Sequence, residues 1–235
     1  MNIPTVTWDS LPKVTGSQMS QVFMLASGKY GFDVRLLIEH AARDLASLVA
    51  ALCPDGPVLV VAGRGHNGAG GLATARLLAS RGRKVWVVPT HEAENYSGVP
   101  REQLECLKHF SNVRVKTSLP KMKFSCTVDA AIGSNLEGPP RGRTQDVITV
   151  LNNMNGCTIV SLDAPTGLDV NDGSTPGDVV NATATLTLGM PKLGVQPGAN
   201  VGDLYLADLG LPRGIYDDMG LQPIDFTDWI SRVTN

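Results

Sequence analysis

The sequence predicts an α/β fold in which a mostly parallel central sheet is covered by helices on both faces. Short apolar runs typical of buried strands alternate along the chain with longer segments of helical periodicity, separated by turns that contain glycine and proline. Consecutive parallel strands need a crossover, which is usually a helix, so this alternation favours a Rossmann-like three-layer αβα sandwich. Ligands in such folds bind beyond the carboxyl ends of the strands.

Each element follows from its own pattern of apolar residues. Apolar residues at helical spacing predict helices over residues 17–29 and 34–52. Proline and glycine at 54–57 end the second helix before a strand over 58–62. The other predicted strands are 84–88, 113–115, 126–132, 158–162, 183–188 and 204–207, and the other predicted helices are 71–81, 101–110 and 144–154. We expect residues 221–235 to form a loop with a short terminal helix.

Length and composition indicate one ordinary globular domain over residues 1–235. A net charge of −2 argues against a nucleic-acid-binding protein, and no apolar run is long enough to span a membrane. Residues 1–13 lack the basic start and apolar core of a signal peptide, and we expect a cytoplasmic protein. No two of the four cysteines form a C-x-x-C pair, which disfavours a zinc site.

A glycine-rich turn between the strand 58–62 and the following helix is the most informative segment. Five glycines fall within nine residues, at Gly63, Gly65, Gly68, Gly70 and Gly71. A strand that turns through glycines into a helix presents free backbone N–H groups to an anion, usually a phosphate, although a purely structural turn stays possible. The next strand ends in Pro89-Thr90 without the acidic ribose ligand of an ordinary NAD oxidoreductase.

Two carboxylates lie at the predicted ends of neighbouring strands. Asp129 precedes a loop rich in glycine and proline, 133–142, which carries Arg141; Asp163 opens the turn 163–169. Carboxylates beside a glycine turn suit proton transfer or a cation held by oxygen ligands. A helix cap at Asp129, a plain turn at 163–169 and a solvent-exposed Arg141 are the structural alternatives.

Taken together, these motifs resemble the YjeF N-terminal domain family, the NAD(P)HX epimerases. The family's glycine loop, G-x-G-N-N-G-G-D-G-L-x-x-A-R, is similar to G-R-G-H-N-G-A-G-G-L-A-T-A-R here. The start of the chain also matches, at Gln18-Met19, Lys29-Tyr-Gly31 and Leu37-Ile-Glu-His-Ala41. The matching segments in the rest of the chain are 63–76, 129–142, 162–169 and 182–192.

The resemblance covers residues 15–213, with 214–235 as a C-terminal extension. It implies a Rossmann-like fold, a homodimer and the stand-alone form of the family, without its dehydratase or kinase-like domain. It also implies one K⁺ per subunit, held by the positions that match the family's asparagine, aspartate and serine. Those positions are Asn67, Asp129 and Thr166.

The implied substrate is NADH or NADPH hydrated on the nicotinamide ring, whose R and S epimers the family interconverts. Epimerisation requires the C–O or C–N bond at the hydrated carbon to open and close again. A carboxylate that moves a proton would serve this step, and Asp129 and Asp163 are both candidates that the sequence does not rank. The residues expected to bind substrate are His66, Asn67, Gly68, Ala69, Gly70, Gly133, Ser134, Asn135, Leu136, Glu137, Arg141 and Asp163.

Several polar positions depart from the family pattern. His66, Ala69 and Gly70 replace an asparagine, a glycine and an aspartate of the glycine loop, and His40 and Phe23 replace polar residues near the start. A same-fold enzyme with another substrate and a non-catalytic binding or dimerising scaffold are therefore the alternative interpretations. We expect Asp129 to be a strand-end surface carboxylate, so Asp129→Ala should abolish cation binding and activity without disturbing the fold. Gly70→Asp, which restores the family residue, should report on the altered pocket.

Overall fold

A nine-stranded mixed sheet forms the centre of the protein in a computed structural model that describes residues 3–235. The strands are β1 (Thr5–Thr7), β2 (Val58–Ala62), β3 (Val85–Pro89), β4 (Val113–Val115), β5 (Cys126–Ala130), β6 (Thr158–Leu162), β7 (Ala184–Leu188), β8 (Asp203–Ala207) and β9 (Ile230–Thr234). The helices are α1 (Gly16–Gly28), α2 (Val34–Leu52), α3 (His66–Ser80), α4 (Gly98–Leu107), α5 (Arg143–Asn152) and α6 (Arg213–Asp218).

The order of the strands creates a crevice beside β2. The sheet runs β1-β9-β8-β7-β6-β5-β2-β3-β4, and every pair is parallel except β8 with β9. From β2 the chain first adds β3 and β4 on one side and then crosses to add β5 on the other. Loops that leave β2 and β5 at their carboxyl ends therefore diverge, and this switch point is where open α/β sheets bind ligands.

Alternate residues of β2 face opposite helical layers. Val58 and Val60 pack with α2 and α3 in one apolar cluster, and Leu59 and Val61 pack with α5 in another. All four side chains are fully buried, because both faces of the central strands are covered. This arrangement confirms the predicted three-layer αβα sandwich.

The first turns of α3 contain Gly68 and Gly70, two of the glycines that were expected to form a loop. The helix begins at His66, five residues before the predicted start at 71, because tertiary packing outweighs the low helix propensity of glycine. A Cβ on Gly68 would collide with the carbonyl of Gly63, and a Cβ on Gly71 would collide with Ala130. Glycine at these positions lets the helix lie directly on the end of the sheet.

The two termini pair with each other at the edge of the sheet, which the sequence did not reveal. Residues 221–229 form the expected loop, but the expected terminal helix is wrong, because residues 230–234 form β9, antiparallel to β8. β1 then pairs with β9 in parallel. These two strands contain few apolar residues, T-V-T in β1 and I-S-R-V-T in β9, so their pairing is specified by their neighbours rather than by a signal of their own. Within residues 3–235, no helix has both the length and the apolar character needed to cross a bilayer.

Gly63→Ala tests whether the glycine turn is required for packing. The added Cβ would collide with the carbonyl of Ala131, so we expect a loss of at least ~2 kcal/mol in the free energy of unfolding. Gly65→Ala is the matched control, because no atom lies within 4 Å of its added Cβ, and it should cost less than ~1 kcal/mol. Equal losses in urea unfolding of the two variants would contradict this account.

Candidate active site

Three segments meet in the crevice at the carboxyl ends of β2, β5 and β6. Gly133, in the loop after β5, lies between Asn67 at the start of α3 and Asp163 after β6. A Cβ on Gly133 would lie 2.9 Å from Cγ, the amide carbon of Asn67, and 3.2 Å from Asp163 Oδ2. The absence of a side chain there brings the three polar segments into one site.

Asp129 is a buried carboxylate held by four hydrogen bonds. Its Oδ2 accepts from the Ser161 hydroxyl and from the Thr166 N–H, both at 2.8 Å. Its Oδ1 accepts from the Thr166 hydroxyl at 2.6 Å and from the Ala131 N–H at 3.4 Å. Ser161 is its register partner on β6, so the parallel pairing of β5 with β6 places this donor.

The expectation that Asp129 is a strand-end surface carboxylate is wrong. Asp129 is only 1% exposed, because β5 lies between β2 and β6 and the loop 131–142 covers the carboxyl end of β5. Burial raises the pKa of Asp129 above its usual value, while the hydrogen bonds from Thr166 and Ser161 oppose that rise. None of the ion pairs among the described residues involves Asp129.

Asp163 is buried as well, but it forms an ion pair with a fully buried lysine. Lys192 Nζ donates to Asp163 Oδ1 at 2.5 Å, to the Leu188 carbonyl at 2.9 Å and to the Thr187 hydroxyl at 3.3 Å. These three contacts use all three donors of the ammonium group. The other carboxylate oxygen, Oδ2, accepts from the Ser134 N–H at 3.1 Å and faces the crevice beside Gly133.

The lysine determines the protonation state of Asp163. Burial alone would raise the pKa of this carboxyl, but the charge and hydrogen bond of Lys192, with the Ser134 N–H, outweigh burial and lower the pKa. The backbone of Asp163 has a φ of 67°, which is uncommon for a residue with a side chain, and its N–H donates to the Leu186 carbonyl at 2.7 Å. An ionised carboxylate is therefore fixed at the carboxyl end of β6.

Asn67, Asp129 and Thr166 offer the oxygen ligands that a hard cation prefers. Thr166 and Asp129 are in direct contact. Asn67 lies across the crevice. With its amide in the orientation that satisfies both neighbours, Nδ2 donates to the Leu162 carbonyl and Oδ1 accepts from the Gly133 N–H, each at 3.2 Å. A monovalent cation fits this donor chemistry, because no lysine or arginine among residues 3–235 forms an ion pair with Asp129, and a cation there would favour the charged form of this carboxyl that burial disfavours.

The glycine segment divides into a surface part and a core part. His66 is exposed and Asn67 is half-buried in the first turn of α3, where backbone N–H groups lack helical partners. The N–H of Ala69 instead donates to the Gly65 carbonyl, and Ala69 packs in an apolar cluster with Ile38 and Ala73.

Gly70 faces the sheet rather than the crevice. A Cβ at this position would lie 2.7 Å from Leu162 Cδ2, so the aspartate in Gly70→Asp would start against an apolar side chain. That substitution therefore tests packing as much as chemistry. Within the glycine segment, the geometry supports anion binding only at His66, Asn67 and Gly68.

The remaining predicted binding residues lie in the loop that follows β5. Asn135, Glu137 and Arg141 are exposed, Leu136 is half-buried, and the Ser134 N–H is already bonded to Asp163. The loop thus lies over the crevice, and the polar side chains of the loop are exposed at the surface of the protein.

Sequence reasoning missed two residues of the site. Lys192 ends the family-like segment 182–192 and received no role, although a lysine after an apolar strand was a visible signal. Ser161 lies inside the apolar strand β6 and carried no signal, because only the pairing of β6 with β5 brings it to Asp129.

Asp129→Ala is now expected to destabilise the protein. The substitution leaves the buried Thr166 N–H and Ser161 hydroxyl without their acceptor, which should cost about 3 kcal/mol in the free energy of unfolding. Asp55→Ala, in the exposed turn before β2, is the control and should change stability by less than ~0.5 kcal/mol. A loss below ~1 kcal/mol for Asp129→Ala in chemical denaturation would contradict the buried network.

Comparison with known proteins identifies relatives over most of the chain. A family described as YjeF-related protein N-terminus matches residues 34–194. The NAD(P)H-hydrate epimerase of Truepera radiovictrix is 61% identical over 210 residues, covering 89% of this chain and 95% of that protein. The NAD(P)H-hydrate epimerase of Dehalogenimonas lykanthroporepellens is 35% identical, with coverages of 94% and 91%.

The fold has a relative of known structure. The crystal structure of yeast ynu0, YNL200c matches with a TM-score of 0.80 and 26% identity, covering 94% of this chain and all of the yeast chain. Sequence and fold thus agree, and the chain belongs to the YjeF-related protein N-terminus family.

Proposed function

We propose that this protein is an NAD(P)H-hydrate epimerase, which interconverts the R and S epimers of NADH or NADPH hydrated on the nicotinamide ring. The activity is the one named for relatives with 61% and 35% identity that are covered almost fully. The observation that carries the proposal is the ionised Asp163, fixed by Lys192 beside the glycine turn at the switch point of the sheet.

The crevice suits a dinucleotide that lies across the switch point. The free N–H groups of His66, Asn67 and Gly68 at the start of α3 favour the pyrophosphate, because the helix dipole adds to their hydrogen bonds. The loop 133–137 and Arg141 would then cover the pyrophosphate from the β5 side. The nicotinamide half then reaches the end of β6, where Asp163 lies.

Asp163 is our choice for proton transfer, because its environment keeps it ionised and leaves Oδ2 facing the crevice. An ionised carboxylate accepts a proton, which favours opening of the C–N bond. The base takes the hydroxyl proton of the hydrated carbon, the O–H electrons form a carbonyl, and the C–N electron pair moves onto the ring nitrogen. Rotation and closure on the opposite face give the other epimer, and the proton returns to oxygen.

Asp129 has a different role in this proposal. With Asn67 and Thr166 it would hold one K⁺ per subunit, which would supply a fixed positive charge for the electron density that develops on the substrate. The hydrogen bonds from Ser161 and Thr166 orient the buried carboxylate of Asp129. In this proposal Asp129 therefore does not take the hydroxyl proton of the substrate. A homodimer, which the family resemblance implies, and a cytoplasmic location, which is the expectation from the sequence, complete the proposal.

Epimer interconversion tests the proposal directly. The purified protein is given the R epimer of hydrated NADH with K⁺ or with choline, and formation of the S epimer is compared with the spontaneous rate. We expect K⁺-dependent acceleration and a loss of at least ~10²-fold in kcat for Asp163→Asn. Asp172→Asn, in an exposed turn, is the matched control and should retain full activity.

A folded protein that does not accelerate the reaction would contradict the proposal and favour another ligand or a scaffolding role. An active Asp163→Asn variant would instead contradict the assignment of the base.

A further inference from the structure

The end of β3 differs from that of an ordinary NAD-binding fold in a way that the proposed activity leaves unexplained. In dinucleotide-binding folds, the strand after the glycine helix ends in a carboxylate that accepts a hydrogen bond from the ribose 2′-hydroxyl. Here β3 ends at Pro89 and continues with Thr90 and His91. The following inference rests on the proposed function, since it assumes that the substrate is a dinucleotide lying across the switch point.

The register of the sheet brings an arginine to this position. Ala62 of β2 pairs with Pro89 of β3, and the Thr90 N–H donates to the Ala62 carbonyl at 2.9 Å. Arg64 and His91 each follow this pair by two residues, so both lie at the carboxyl ends of these two neighbouring strands. Arg64 is exposed, in the turn between β2 and α3.

A second arginine, Arg143, is contributed by the segment that follows β5. Arg143 is the first residue of α5, and its guanidinium bonds to the Thr117 carbonyl and to Glu92 Oε1, the latter at 3.3 Å. Its side chain is mostly buried, whereas that of Glu92 is largely exposed. The two contacts fix Arg143 next to the residue that follows His91.

His91 lies in the same segment, between Thr90 and Glu92. Its Nδ1 is 2.9 Å from the Thr90 hydroxyl oxygen, which orients the ring. Burial and then the positive charges of Arg64 and Arg143 lower the pKa of His91, so both guanidinium groups act on the same imidazole. Two arginines and one glutamate leave a net positive charge at the place where a carboxylate would bind the ribose hydroxyl.

We propose that Arg64, with Arg143 and His91, recognises the 2′-phosphate of the adenosine ribose, so that the protein prefers hydrated NADPH to hydrated NADH. A carboxylate here would repel a 2′-phosphate, whereas an arginine near the ribose accommodates it. The guanidinium of Arg64 is exposed and bears donors that match phosphate oxygens. A 2′-hydroxyl carries no charge, so the arginines should add little to the binding of hydrated NADH.

The experiment compares kcat/KM for the R epimers of hydrated NADPH and hydrated NADH at saturating K⁺ and fixed ionic strength. We expect the wild-type protein to prefer the phosphorylated form by about tenfold or more. Arg64→Ala should lower kcat/KM about tenfold for hydrated NADPH and less than twofold for hydrated NADH, and Arg64→Glu should lower the ratio further. Arg81→Ala, exposed at the other end of α3, is the matched control and should leave both values unchanged.

Binding without turnover separates this inference from the proposed reaction. Adenosine 2′,5′-bisphosphate and AMP carry only the adenosine half, and we expect the bisphosphate to bind about tenfold more tightly in a manner that Arg64→Ala removes. If the protein gives this binding result but does not catalyse epimerisation, the proposed function is contradicted and the 2′-phosphate site is supported. Equal kcat/KM for the two substrates, or equal losses with both in Arg64→Ala, would overturn the inference.

Discussion

The buried ion pair between Asp163 and Lys192 is the interaction on which the rest of the candidate site depends. A lysine with no exposed surface is stable in its charged form only when it is paired and fully hydrogen-bonded, and Asp163, Thr187 and Leu188 provide those partners. The backbone on both sides of Lys192 is fixed as well, since Val14 bonds to Pro191 and Leu193. The segment before α1 is thereby attached to the end of the sheet, and the pair determines both the position and the charge of Asp163.

The two carboxylates illustrate how environment separates two similar groups. Asp129 is surrounded by neutral donors, and burial raises its pKa; Asp163 has a lysine, and its pKa is lowered. They lie at the ends of neighbouring parallel strands, so the different roles that we propose for them follow from their partners rather than from their distance to the crevice. One carboxylate suits a cation held by oxygen ligands, and the other suits proton transfer.

The fold was largely predictable, because the central strands are short continuous apolar runs and the helices show clear helical periodicity. The start of α3 was not, since glycines such as Gly68 and Gly71 have low helix propensity and are chosen for contacts with Gly63 and Ala130. β9 was missed because its pairing with β8 is a tertiary property. The motifs predicted which segments meet in the crevice, but the burial of Asp129 and the partner of Asp163 depend on β6 and on residues near 190.

A double-mutant cycle of Asp163→Asn and Lys192→Met measures the central interaction most directly. Urea unfolding and epimerisation are followed for both single variants, the double variant and the wild-type protein. Each single variant leaves one member of a buried pair without its partner, and we expect it to lose ~3–5 kcal/mol of stability. The double variant should lose at least ~2 kcal/mol less than the sum, and none of the three should be active. Additive losses, or a Lys192→Met variant with wild-type activity, would contradict a site organised by this pair.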